Sequence, residues 1–133
     1  MPAPTPIQTN TAPAAIGPYS QAMQTGNLLF CSGQIGIDPT TGNLVAGGIA
    51  GETRQALTNL KAVLRAAGCS PSDIVKATVY VTDMNDFPVV NEIYAELLAP
   101  AKPARACVAV AALPKGGNIE VDAIALIPGS PAP

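Results

Sequence analysis

Two stretches of helical spacing, each followed by a run with the two-residue repeat of a strand, govern what this chain can fold into. Between residues 49 and 67, Thr53, Ala56, Leu57, Leu60, Val63, Leu64 and Ala67 recur at three- and four-residue intervals, the repeat of one helix face. Glu52 falls in the first turn of that helix, Lys61 and Arg65 near its end, and Gly68 where a left-handed residue closes a helix. The run IVKATVYVT (74–82) alternates and is rich in β-branched residues. Val75, Ala77, Val79 and Val81 form its cleaner apolar face. A second helix is predicted over 85–98, with Asp83 or Asn85 as N-cap candidates and Pro88 in the first turn, where its missing N–H costs little.

The remaining segments complete the pattern. LLFCSGQIGI (28–37) reads as a strand broken by Gly33 and Gly36, residue types found where a bulge forms or a ligand approaches the backbone. DPTTGN (38–43) is a turn, and Leu44-Val45 a short returning strand. Two final strands fall at 105–112 and 118–127, separated by LPKGGN. The order strand, helix, strand, helix, strand, strand favours parallel pairing with right-handed crossovers. The expected architecture is an α+β sandwich, a mixed sheet with two α-helices on one face. No element remains to cover the other face, so self-association through it is expected. Composition points the same way. Of 133 residues 48% are apolar, mostly Ala, Val, Ile and Leu, and only five are aromatic, a thin core for one domain. No repeat or long linker divides residues 1–133, which read as one domain. Prolines cluster at both ends, so 1–6 and 128–133 are expected to fray.

Charge restricts the chemistry. Seven bases and nine acids give a net charge of −2, and there is no His and no Trp. A Ser-His-Asp triad, a Cys-His pair, a His general base and any His-ligated metal are therefore impossible within this chain. No cofactor or metal is expected. The absence of a Lys/Arg run argues against affinity built on phosphate neutralisation, so nucleic acid is an improbable partner. No window approaches eighteen apolar residues, and the N-terminal segment lacks the basic and hydrophobic regions of a secretory signal. Cys31, Cys69 and Cys107 form no C-x-x-C pair, and a reduced, cytoplasmic setting is expected.

A few polar residues stand out against apolar surroundings. Arg105 opens a strand otherwise made of Ala, Cys and Val. Such an arginine either pairs with a carboxylate of its own chain or presents its planar fork to a substrate carboxylate. Glu120, between Ile119 and Val121, is either an edge-strand solubility charge or a carboxylate that orients or deprotonates water. A simple hairpin of the last two strands would set them roughly 20 Å apart at about 3.3 Å per residue. Either those strands do not pair directly or the site is assembled across a subunit interface. Asn91 lies on the Phe87/Tyr94/Leu98 stripe of the second helix, where a buried amide needs partners, although a place at the stripe's exposed edge is as reasonable. Tyr19 follows Gly17-Pro18 in a loop before the first main strand. Cys107 shares a side with Arg105 but has no His to act as its base.

Taken in order, AIGPYSQA (15–22), SGQIGIDPTTG (32–42), QALTNLKAVLRAAG (55–68), VKATVYVTDMNDFPVVNEIYAE (75–96), PARACVAVAALPKG (103–116) and IEVDAIA (119–125) resemble the signature blocks of the RidA (reactive intermediate/imine deaminase) family. The resemblance covers about residues 7–127. It implies a chorismate-mutase-like α+β fold and a homotrimer with sheets packed inside, helices outside and a cleft between each pair of subunits. The implied activity is hydrolysis of reactive 2-imino acids and 2-aminoacrylate, released by pyridoxal-phosphate dehydratases, to 2-oxo acids and ammonia. Carried onto this chain, the resemblance makes Arg105 the carboxylate clamp and Glu120 the water-associated acid. Tyr19, Asn91, Gly33 and the backbone of Cys107 become pocket residues. The connection APAK between Leu98 and Pro103 is shorter than in many members, and Lys102 stands where an aromatic is frequent, which bears on side-chain preference. A non-catalytic 2-oxo acid binder and an endoribonuclease or translation inhibitor are the alternative functions considered.

Overall fold

The apolar stripe of the long helical segment buries almost completely. In the computed structural model, which describes residues 3–129, helix α1 runs Gly48–Ala66. Its Ala56, Leu57, Leu60, Val63 and Leu64 are all fully buried. Each large aliphatic side chain so buried contributes about 1.5–3 kcal/mol. The helix stops at Gly68, which takes φ 79 and donates its N–H to the Arg65 carbonyl at 3.0 Å. Helix α2 (Phe87–Leu98) packs beside α1 and buries Val90, Ile93, Tyr94 and Leu98. It is entered through a 3₁₀ turn, Met84–Asp86, in which the Asp83 carboxylate accepts from the Asn85 N–H at 2.9 Å.

Both helices cover one face of a six-stranded sheet. Its strands are β1 (Thr5–Ile7), β2 (Ala22–Thr25), β3 (Leu28–Gln34), β4 (Ile74–Val81), β5 (Ala104–Ala109) and β6 (Ile119–Leu126). Their spatial order is β1-β2-β3-β6-β4-β5. The β4–α2–β5 unit is a parallel crossover, with Ala77 opposite Arg105 and Val79 opposite Cys107. The β3–α1–β4 unit is also a crossover, but β6 inserts between its two strands and pairs antiparallel with both. The helix-facing residues Leu29, Cys31, Ala77, Val79, Val81, Ile119, Val121, Ala123 and Ala125 are buried. On the opposite face Phe30, Val108 and Leu126 stay 43%, 41% and 44% exposed, and no element among the described residues covers them. This is the α+β sandwich with one open face that the order of periodicities demands.

Several expectations need correction. The last two strands, whose pairing the sequence left open, do not form a hairpin, because β4 lies between β5 and β6. Val75 does not face the core. A register shift between Ile74 and Lys76 against β6 turns Ile74 inward and leaves Val75 48% exposed. Residues 5 and 6, expected to fray, pair with Met23 and Gln24 of β2, a strand not foreseen either. At the other end Pro128 and Gly129 form a turn, while 130–133 lie outside the described residues. The strand expected over 28–37 ends at Gln34, and the returning strand shrinks to one bridge between Ile37 and Leu44.

Gly36 lies where α1 crosses the chain beyond β3. A Cβ placed there would sit 2.7 Å from the Glu52 Cα and 2.8 Å from its carbonyl oxygen. Helix backbone cannot yield locally, so Gly36→Ala is expected to cost about 1–3 kcal/mol, read as a lower thermal midpoint.

Candidate active site

Glu120 lies on the open face of the sheet, opposite Tyr80 of β4. It borders a cleft of about 700 Å³ together with Tyr19, Gly33 and Lys115. Gly33 is required by close approach. A Cβ there would overlap the Glu120 carboxylate and lie 2.6 Å from its Cδ. The group it would meet is the end of a flexible side chain, not backbone. Gly33→Ala should therefore displace the carboxylate while disturbing the fold less than Gly36→Ala.

The cleft wall is held by buried amides. Gln21 accepts from the Thr9 N–H at 2.7 Å and donates to the carbonyls of Thr9 at 3.1 Å and Pro13 at 2.8 Å, which pins the loop leading to Tyr19. Asn59 of α1 donates to the carbonyls of Ile35 at 3.2 Å and Ile37 at 2.8 Å, fixing the chain beyond Gly33. At the start of β6, the buried Glu52 carboxylate accepts from the Asn118 N–H at 2.8 Å and from its Nδ2 at 2.6 Å. None of these three anchors was foreseen from sequence. The usable signal was a polar residue set among the apolar positions of a helix or strand, which cannot be buried without partners.

Burial is the main influence that raises the Glu120 carboxyl above its ordinary pKa, and the neighbouring Asp122 carboxylate adds to it. Asp122 itself accepts from the Tyr80 hydroxyl at 3.0 Å, a bond that holds the phenol protonated to higher pH. A raised carboxyl favours folding below the unfolded-state pKa, and that advantage is lost as pH rises through the folded-state value. Glu120→Gln removes the ionisation. Its thermal midpoint should match that of the parent near pH 4 and exceed it by a gap that opens towards neutrality. Parallel melting curves across that range would refute this.

Arg105 lies elsewhere. It is opposite Ala77, so its side chain rises on the helix-covered face. Its Nη1 donates to Asn91 Oδ1 at 2.8 Å, and its Cζ stands 5.4 Å from the Phe87 ring centroid and 4.8 Å from that of Tyr94. These residues, with Lys102 and Ala99–Pro103, border a second, smaller cleft. Among the described residues no carboxylate pairs with Arg105. The ion pair among the described residues is Arg54–Glu96, at 3.2 Å. Cys107 is half-buried on the same face, and burial raises its thiol pKa against the opposing effect of Arg105, so it stays protonated. Because β5 is an edge strand, alternate backbone groups around Cys107 have no sheet partner and are free for a ligand.

The structure thus groups Tyr19, Gly33 and Glu120 in one cleft, and Asn91 with Arg105 in another. Arg105 and Glu120 are offset by three residues along β4 and by two strand spacings, about 14 Å in all, on opposite faces. One chain cannot close both around a small molecule. Among the described residues no cluster of His, Cys, Asp and Glu could hold a metal ion. No helix there is long and apolar enough to cross a membrane.

Fold and clefts define an α+β sandwich protein with a guanidinium bordering one cleft and a carboxylate bordering another. Residues 9–127 match the family described as Endoribonuclease L-PSP, and the chain belongs to that family, in which RidA proteins fall. It is 53% identical to 2-iminobutanoate/2-iminopropanoate deaminase of Bos taurus, over 90% of this chain and 88% of the relative. The crystal structure of RidA from an Antarctic Psychrobacter superposes with a TM-score of 0.89 at 48% identity, covering 92% of this chain and 99% of that one. Escherichia coli TdcF with bound serine gives 0.87 at 44% identity, covering 92% and 98%.

Proposed function

We infer that this protein hydrolyses 2-iminobutanoate, 2-iminopropanoate and its enamine tautomer 2-aminoacrylate to 2-oxo acids and ammonia. The observation that carries the reading is Arg105, a guanidinium held by Asn91 and two rings with no carboxylate partner among the described residues. The bovine relative's named activity and the serine bound by TdcF both involve small α-carboxylates, the group this fork fits.

The uncovered sheet face and the separation of the two half-clefts support a homotrimer. In it, Arg105 of one subunit meets Glu120 of the partner subunit. Arg105 takes the substrate carboxylate, with Tyr19, Asn91, Gly33 and the Cys107 main chain completing the pocket. Its grip sets the C=N carbon beside one water. Water adds to that carbon as Glu120 accepts its proton. With the imine entering in its N-protonated form this gives a neutral carbinolamine; Glu120 returns the proton to its nitrogen, the C–N bond breaks, and the hydroxyl passes its proton to the departing ammonia as the C=O forms. A raised carboxyl pKa suits the second half of this cycle. The carbon is already electrophilic, so a His-free site suffices.

The test is the lifetime of 2-iminobutanoate made in situ from threonine by a pyridoxal-phosphate dehydratase. Faster appearance of 2-oxobutanoate with the protein present is expected, and an unchanged lifetime would refute the reading. A non-catalytic binder would retain affinity for 2-oxobutanoate without that acceleration. Endonuclease action is the weaker reading, since a net charge of −2 and the lack of His offer neither phosphate affinity nor the usual base. Three free thiols, two of them buried, fit a cytoplasmic setting.

A further inference from the structure

Phe87, Asn91 and Tyr94 lie at i, i+4 and i+7 of α2 and so share one helix face. That face does more than fill the core, because all three residues converge on Arg105. An arginine fork has five N–H donors in one plane. Asn91 takes one of them, at 2.8 Å, on Nη1. The rings of Phe87 and Tyr94, their centroids 5.4 and 4.8 Å from its Cζ, attract the cation without taking any of its N–H donors. What remains is an in-plane edge of parallel N–H groups with no acceptor from the described residues. That is the geometry a carboxylate needs for two-pronged binding.

We propose that Phe87 and Tyr94 are positioning residues for substrate binding: their rings fix the plane of the Arg105 guanidinium so that its free edge meets the substrate carboxylate. This rests on the deaminase reading only in taking a carboxylate as the ligand of Arg105. The ring of Tyr94, rather than its hydroxyl, is the working part. The Tyr94 Oη is buried and has no hydrogen-bond partner among the described residues. A hydroxyl in that state gives no hold on the ring, whereas the ring lies 4.8 Å from the guanidinium carbon.

Leucine at either position keeps apolar bulk and removes the π face. Phe87→Leu and Tyr94→Leu are each expected to weaken 2-oxobutanoate binding, measured by calorimetry, and to raise KM for 2-iminobutanoate by about 3- to 30-fold, with a much smaller change in kcat. Tyr94→Phe, which restores the ring, should recover what Tyr94→Leu loses. A leucine variant that melts at lower temperature yet binds 2-oxobutanoate as tightly as the parent would overturn the proposal, since the rings would then be core and nothing more. So would a fall in kcat at constant KM, or a failure of Tyr94→Phe to rescue. If Tyr94→Leu does not fold, Phe87→Leu, at a half-buried position in the first turn, decides alone. If the parent protein leaves imine lifetimes unchanged while the leucine variants still bind 2-oxobutanoate more weakly, the deaminase reading falls and the positioning role stands.

Discussion

Arg105→Ala is expected to lower kcat/KM for 2-iminobutanoate by about 100- to 1000-fold while leaving the fold in place. The magnitude follows from the bond removed. A two-pronged guanidinium–carboxylate contact is charge-assisted, and truncating one partner costs about 3–4 kcal/mol, close to 2.5 decades. The fold should tolerate the change because the side chain is exposed and sits on an edge strand, outside the buried cluster. Its thermal midpoint should therefore move by no more than a few degrees. Arg105→Lys should be nearly as inactive, since an ammonium offers a point charge where the rings and Asn91 arrange a plane. Imine lifetimes with Arg105→Ala equal to those with the parent would remove Arg105 from the mechanism.

Chains carrying Arg105→Ala and chains carrying Glu120→Gln, each inactive alone, are expected to regain activity when assembled together. The two side chains lie on opposite faces of one sheet, and in the proposed trimer each cleft takes its arginine from one subunit and its acid from the next. With equal amounts of both chains in random cyclic trimers, a cleft has an intact arginine half the time and an intact acid half the time. About a quarter of the parental activity should return. Co-expression with distinct affinity tags isolates the mixed trimers, in each of which one cleft of three is intact, so about a third of the parental activity is expected from them in the imine assay. Mixed trimers as inactive as either parent variant would show that both groups act from one chain.

How much of this was legible beforehand varies by element for physical reasons. Helix α1 was readable because nineteen residues carry an unbroken stripe, and burial of Leu57, Leu60 and Leu64 follows directly from it. The β4–α2–β5 crossover was readable from chain order. The insertion of β6 between β3 and β4 was not, because its alternation of buried and half-exposed residues is the same whichever strand lies alongside. Strands β1 and β2 are three and four residues long and bring no repeat that composition could betray. Val75 was misplaced because one register shift reverses the facing of a strand, and the sequence IVK has apolar residues on both sides of it. For the site, Arg105 and Glu120 were conspicuous as charges among aliphatics. Their placement on opposite faces was not visible, since facing depends on which strand intervenes. The Phe87–Asn91–Tyr94 stripe was legible as a helix face, but its convergence on Arg105 required the crossover to be built.

Strand β5 has a neighbour on one side only, and Arg105 is the one charge in its six residues, ARACVA. A flat apolar edge with free backbone groups is a template on which another chain can add a strand, and a charged side chain there discourages it. The guanidinium to which the proposed mechanism gives the substrate carboxylate therefore also discourages strand addition at this edge. Under that proposal solubility and turnover constrain the same residue, which narrows the replacements that evolution or engineering can accept at this position.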